Sequence, residues 1–84
     1  MSYLVRITPL AERQLAALDK IPYQTIKSKI ANLADNPRPP GCQKLRGRPG
    51  WRVRAGNYRI LYDIEDELKV VAILEVGHRR EIYR

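Results

Sequence analysis

The chain opens on a short apolar, β-prone run, Tyr3-Leu4-Val5-Arg6-Ile7, which predicts a first strand. Thr8-Pro9 follows, a helix N-cap residue with proline at the first helical position. Ala11, Leu15 and Leu18 then recur at helical spacing, so a first helix runs to about Lys20. Pro22 can open a second helix. Its apolar stripe is Ile26, Ile30 and Leu33, with Gln24, Lys27, Ser28 and Lys29 turned away, and Asn36-Pro37 ends it. From Pro37 to Gly50 the periodicity stops. Four prolines and three glycines predict an irregular loop, too short to separate two domains. Alternation then takes over. Trp51-Arg52-Val53-Arg54 reads as a half-exposed strand, Gly56-Asn57 as a tight turn and Tyr58 to Ile64 as a second strand. Glu65-Asp66-Glu67 is a charged turn and Lys69 to Val76 a last strand, which the tail from Gly77 either extends or folds over. There are no repeats and no low-complexity segments.

The order β-α-α-β-β-β predicts one α+β domain over residues 1–84: an N-terminal strand, a helical hairpin, then an antiparallel three-stranded sheet. The hairpin covers one face and leaves the other open for a ligand. A two-residue loop at Gly56-Asn57 pairs Ala55 with Tyr58 and sets Arg54 directly opposite Arg59. Arg52 shares their face. Like charges set opposite each other destabilise a sheet. A sequence shaped only by folding would avoid that arrangement, so a polyanionic ligand is the better explanation. Trp51, Val53, Tyr58, Ile60 and Tyr62 take the helix-covered face, where they read as core.

Charge strengthens this picture. Lys and Arg total 16 against 9 Asp and Glu, a net charge of +7, and 11 of the basic residues are arginine, the side chain suited to bidentate phosphate contact. Between Asp35 and Asp63 there is no acidic residue, yet Arg38, Lys44, Arg46, Arg48, Arg52, Arg54 and Arg59 all fall there. A face built only for solubility mixes both signs. Nucleic acid, an anionic surface or an acidic protein partner fits such a balance. An 84-residue domain buries a modest core, so a partner would add stability. Cys42 is the only cysteine, which excludes an intramolecular disulfide and fits a reducing cytoplasm. Cys42 and His78 have no companions at metal-ligand spacing, so neither a metal nor a cofactor is expected. No apolar run approaches membrane-spanning length and no signal-peptide core precedes the first strand.

The C-terminal run Val76-Gly77-His78-Arg79-Arg80-Glu81-Ile82-Tyr83-Arg84 adds groups that move protons and grip phosphate. RNA is cut without a metal when its 2′-OH attacks the adjacent phosphate. That reaction needs a base, positive charge on the phosphorane and an acid for the leaving 5′-oxygen. Arginine suits the charge, histidine the proton transfer, and a tyrosine among arginines ionises more readily. Plainer readings stand beside these: His78 as a strand-end residue, Tyr83 as an aromatic capping the core, Arg80 and Arg84 as solvated charge. The residues alone say polyanion binder, not nuclease.

Taken in order, the Tyr-Leu-Val start, the helical hairpin, Lys44-Leu45-Arg46-Gly47, the Gly-x-Tyr-Arg-Ile-Leu-Tyr run from Gly56 to Tyr62, and Val76-Gly77-His78-Arg79 ahead of Ile82-Tyr83-Arg84 resemble the RelE toxins of bacterial type II toxin–antitoxin pairs, within the RelE/ParE superfamily. The resemblance covers nearly the whole chain. It implies a RelE-like fold and a ribosome-dependent endoribonuclease, or mRNA interferase, that cuts mRNA in the A site of the 70S ribosome beside 16S ribosomal RNA. It implies a cognate RelB-like antitoxin as partner, through which the complex binds operator DNA, and no membrane. The family's phosphate-binding arginine falls on Arg59, its arginine after the last strand on Arg79 with Arg80 beside it, and its C-terminal tyrosine, the family's proposed base, on Tyr83. The basic pair after the loop falls on Arg52 and Arg54, and Lys44, Arg46, Arg48 and Arg80 extend the phosphate-binding set. The pair is lysine in the best-known members. Arginine does not give up a proton, so here the pair holds phosphate and leaves acid–base work to others. The segment from Arg79 to Tyr83 is shorter than in some members. His78 stands where some have lysine and is a candidate for the proton transfer. A ParE-like toxin that binds DNA gyrase shares the fold, and an inactive nucleic-acid-binding relative would also use the arginine face.

Overall fold

Leu4–Ile7 form β1, the first of five strands in a computed structural model that describes residues 2–78. Thr8 then ends the strand and starts the helix. Its Oγ1 accepts the Ala11 backbone N–H at 3.2 Å and donates to the Leu74 carbonyl at 3.1 Å, so one side chain caps α1 (Pro9–Ala16) and ties it to the sheet. α1 stops at Ala16, short of the expected Lys20, because the backbone turns extended at Asp19, the residue ahead of α2 (Lys20–Asp35). Pro22 therefore sits inside the first turn of α2, where a missing N–H leaves no helical bond unmade. Beyond the second helix come β2 (Gln43–Lys44), β3 (Trp51–Ala55), β4 (Tyr58–Glu65) and β5 (Val70–His78).

The sheet order is β1-β5-β4-β3-β2, with β1 parallel to β5 and every other pair antiparallel. The expected three-stranded antiparallel sheet therefore gains a strand at each edge. One is β1, which the two helices carry round to lie beside β5. The other is β2, two residues inside the proline-rich loop, whose pairing with Trp51 and Arg52 rather than any local pattern makes it a strand. β5 lies between β1 and β4, and Val71 and Ile73 of its apolar run face the core. β1 stops opposite Ile73 while β5 continues. There the Gln14 side chain takes over, its Oε1 accepting the Val76 N–H at 2.7 Å.

Both helices lie on one face. Ala11 and Leu15 of α1 and Ile26, Ile30 and Leu33 of α2 pack with Val53, Ala55, Ile60, Tyr62, Val71, Ile73 and Val76. The core face expected from alternation in β3 and β4 is the one observed. Tyr62 is completely buried, and its hydroxyl donates to the Pro37 carbonyl at 2.7 Å, pinning the start of the loop to the middle of the sheet. Burial pushes the Tyr62 phenol pKa well above its ordinary value, with the nearby Cys42 adding to the rise. A second anchor lies outside the core. Arg38 grips both Asp66 carboxylate oxygens, at 3.2 and 2.9 Å, and the Tyr3 hydroxyl donates to the same carboxylate at 2.8 Å. The Arg38 bonds first, then Tyr3, hold the Asp66 pKa down at about 2. The loop is irregular yet tied at both levels, to β4 through Tyr62 and to the β4–β5 turn through Arg38. Among the described residues no helix is long and apolar enough to cross a membrane.

Tyr62→Phe keeps the ring but leaves the Pro37 carbonyl without this donor. We expect a loss of about 1–3 kcal/mol, read as a lower urea midpoint at unchanged slope. An unchanged midpoint would show that the loop is held elsewhere.

Candidate functional site

The β3–β4 hairpin decides which side chains meet. In its two-residue turn Gly56 has φ +63°, while Asn57 keeps a negative φ. Positive φ at the first central position alone is the type II′ pattern, whose twist matches that of paired strands. The register that follows is Ala55 with Tyr58, Arg54 with Arg59, Val53 with Ile60 and Arg52 with Leu61. Arg52, Arg54 and Arg59 consequently share the face away from the helices.

Together with Gly41, Gln43 and Val53 these three arginines line an open groove of about 360 Å³. They are not equivalent. Arg54 is exposed and Arg52 half-buried, whereas Arg59 is only 5% exposed. The expectation of a solvent-open arginine face is thus met at its rim and not at its floor. Arg59 stands across the ladder from Gly77, where no side chain competes for space, and Leu61 beside it is also buried. Sinking a guanidinium this far strengthens its pull on an anion, because water screens it less. Among the described residues no carboxylate lines the groove. None of its lining groups, among the described residues, can give or take a proton near neutral pH. The described lining is thus cationic and suited to an anion, and offers no group of its own for proton transfer.

The other residues singled out from the sequence fall elsewhere. His78 pairs across the ladder with Tyr58, on the helix-covered face, its ring edge-on to the tyrosine with centroids 5.5 Å apart. It borders a separate cavity of about 420 Å³ with Gln14, Leu18, Tyr58 and Val76. Register thus places the imidazole on the opposite face from the arginines. Lys44 lies opposite Trp51, its ammonium 5.3 Å from the indole centroid, and Arg38 approaches the same ring at 5.2 Å. Arg46 and Arg48 are exposed on the loop between β2 and β3 and do not line the groove. Arg79, Arg80 and Tyr83 lie outside the described residues. The sequence reading missed Gln43. Its place emerges only from the pairing of β2 with β3, which puts it beside Arg52.

The sequence model of the ParE toxin of the type II toxin–antitoxin system parDE matches residues 5–83. The chain belongs to the RelE/ParE family of type II toxins. This toxin is 38% identical over 86 residues to Toxin RelG of Mycobacterium tuberculosis, covering 100% of this chain and 99% of that protein. It is 30% identical over 88 residues to the mRNA interferase toxin RelE of Escherichia coli K12, covering 99% of this chain and 92% of RelE. Its fold superposes with a TM-score of 0.85 on a chain of the M. tuberculosis toxin–antitoxin complex RelBE2, at 33% identity and covering 94% of this chain and all of that one. A chain of the intact E. coli RelBE complex gives 0.79 at 28% identity, covering 92% and 96%.

The groove makes a quantitative prediction. If three arginines each neutralise one phosphate of single-stranded RNA, log affinity should fall against log salt with a slope of about −2. Arg54→Ala should make the slope shallower by roughly 0.7. Affinity indifferent to salt would contradict phosphate binding in the groove.

Proposed function

We propose that this toxin is a ribosome-dependent endoribonuclease that cuts mRNA in the 70S A site and is neutralised by a RelB-like antitoxin. The observation that carries the reading is the convergence of Arg52, Arg54 and Arg59 on the helix-free face, with Arg59 sunk below the rim. Its relative in E. coli is an mRNA interferase, and its structural relatives are bound in RelBE complexes.

In the proposed step the 2′-oxygen forms a bond to the adjacent phosphorus and the bond from phosphorus to the 5′-oxygen breaks. The products are a 2′,3′-cyclic phosphate and a 5′-hydroxyl. Arg59 and Arg54 hold the non-bridging oxygens as the phosphorane gains charge, and Arg52 holds a neighbouring phosphate. Among the described residues the groove holds no acid or base, so the proton of the 2′-OH passes to Tyr83, whose phenol nearby arginines would acidify, and the leaving 5′-oxygen takes its proton from solvent water. Arg79, with Arg80 next to it, adds positive charge at the same phosphate. His78, on the helix face beside Tyr58, is left outside the proton path. Lys44, Arg46 and Arg48 extend the basic surface toward 16S ribosomal RNA, and the ribosome itself orders the mRNA in the A site. The antitoxin presents an acidic or amphipathic segment that covers the arginines or displaces the C-terminal tail, and the complex meets operator DNA through the antitoxin. The matching ParE model favours a second reading, in which the same fold binds DNA gyrase.

Inducible expression with primer extension on a reporter mRNA separates the two. We expect codon-positioned cuts that require active translation. Arg54→Ala should weaken them about 10²-fold or more, in the range of a lost transition-state donor. Arg79→Ala/Tyr83→Ala should abolish them and His78→Ala should leave them intact. Growth arrest with intact mRNA and a DNA-damage response would instead assign the toxin to gyrase. No arrest would leave a binding module.

A further inference from the structure

One polar group in the groove has no role in the reaction as derived above. Gln43 sits on β2 directly across from Arg52, and both side chains project from the helix-free face. The carboxamide oxygen of Gln43 accepts from Arg52 Nε at 3.1 Å and also from Nη2. Two donors on one edge of a planar guanidinium meet one oxygen, which fixes both the plane and the rotation of the group. The Nη1 edge is thereby turned away from β2.

We infer that Gln43 is a positioning residue, which orients Arg52 for phosphate in the groove and does so without neutralising it. This rests on the reading of the groove as an RNA site. The choice of side chain carries the point. A carboxylate at this position would hold the guanidinium at least as firmly, but its charge would cancel Arg52 and repel the phosphate. A neutral acceptor gives the order and keeps the field. The backbone pairing of β2 with β3 holds Gln43 at this place in a loop of prolines and glycines. Leu45 N–H donates to the Gly50 carbonyl at 3.0 Å, just beyond the Gln43 and Lys44 pairs, so the loop folds back on itself where Gln43 must stand beside Arg52. A Cβ on Gly50 would come within 3.0 Å of the Tyr62 carbonyl, so glycine is what lets the loop close there. Gln43 itself is exposed and packs into no core, so its replacement leaves the fold intact.

The test pairs a binding cycle with a spectroscopic one on the full-length toxin. The probe is a single-stranded RNA oligonucleotide with 2′-O-methyl groups, which cannot be cut. Gln43→Ala and Arg52→Ala should each weaken binding about tenfold, and the double variant should bind no worse than Arg52→Ala alone. In ¹⁵N spectra the Arg52 Nε–Hε group should be rigid in the wild type and mobile in Gln43→Ala. Gln43→Glu should restore the rigidity and still bind RNA poorly. A rigid Arg52 in Gln43→Ala, or losses that multiply in the double variant, would overturn the proposal, the latter by making Gln43 a direct RNA contact. Cleavage enters neither measurement, so a wild type that binds but does not cut mRNA would sink the nuclease reading and leave this one standing.

Discussion

The structure depends on the register of one hairpin. Gly56 and Asn57 close β3 onto β4 with two residues, and that turn sets Ala55 against Tyr58. Side chains in a strand alternate faces, so a slip of one residue would exchange the two sets completely. In the observed register Val53, Ala55, Ile60 and Tyr62 lie under the helices, and Arg52, Arg54 and Arg59 face away. Core burial worth about 1.5–3 kcal/mol for each large apolar side chain therefore holds three arginines together. Their mutual repulsion, a few tenths of a kcal/mol or more per opposed pair, is too small to undo it.

The same arrangement sorts the rest of the molecule. Tyr62, held by the hairpin at the centre of the sheet, reaches Pro37 and anchors the loop that follows α2. The loop in turn brings β2 to the edge of β3, and with it Gln43 to Arg52 and Lys44 to Trp51. At the other end of the sheet, β1 and the side chains of Thr8 and Gln14 cover the outer edge of β5. Stability is concentrated on the helix face, which leaves the opposite face with few constraints beyond charge. A marginal domain of this size can carry an electrostatically unfavourable surface only because its register is secured elsewhere.

Much of this was legible in the residues. Thr8-Pro9 marked the start of α1, the stripe of Ile26, Ile30 and Leu33 marked the buried face of α2, and Gly56-Asn57 implied the Arg54–Arg59 opposition. These are local signals, in which a turn or a period names its own partner. What escaped was settled by tertiary pairing. Nothing in Tyr3 to Ile7 says that the strand will lie parallel to β5. Gln43-Lys44 has no strand pattern and becomes one only against β3. The depth of Arg59 follows from Gly77 across the ladder, a contact no alternation reveals. His78 was grouped with the arginines because it is close to them in kind and in sequence order. Its pairing with Tyr58 puts it on the other face.

The central claim is that RNA phosphate sits in the arginine groove of the helix-free face. The most direct test is an NMR titration of the toxin with a short 2′-O-methyl RNA. The account predicts shifts concentrated on Gly41, Gln43, Arg52, Arg54 and Arg59, with the helix-side cavity around Leu18, Tyr58 and His78 unmoved. Shifts confined to that cavity, or none at saturating RNA, would contradict it.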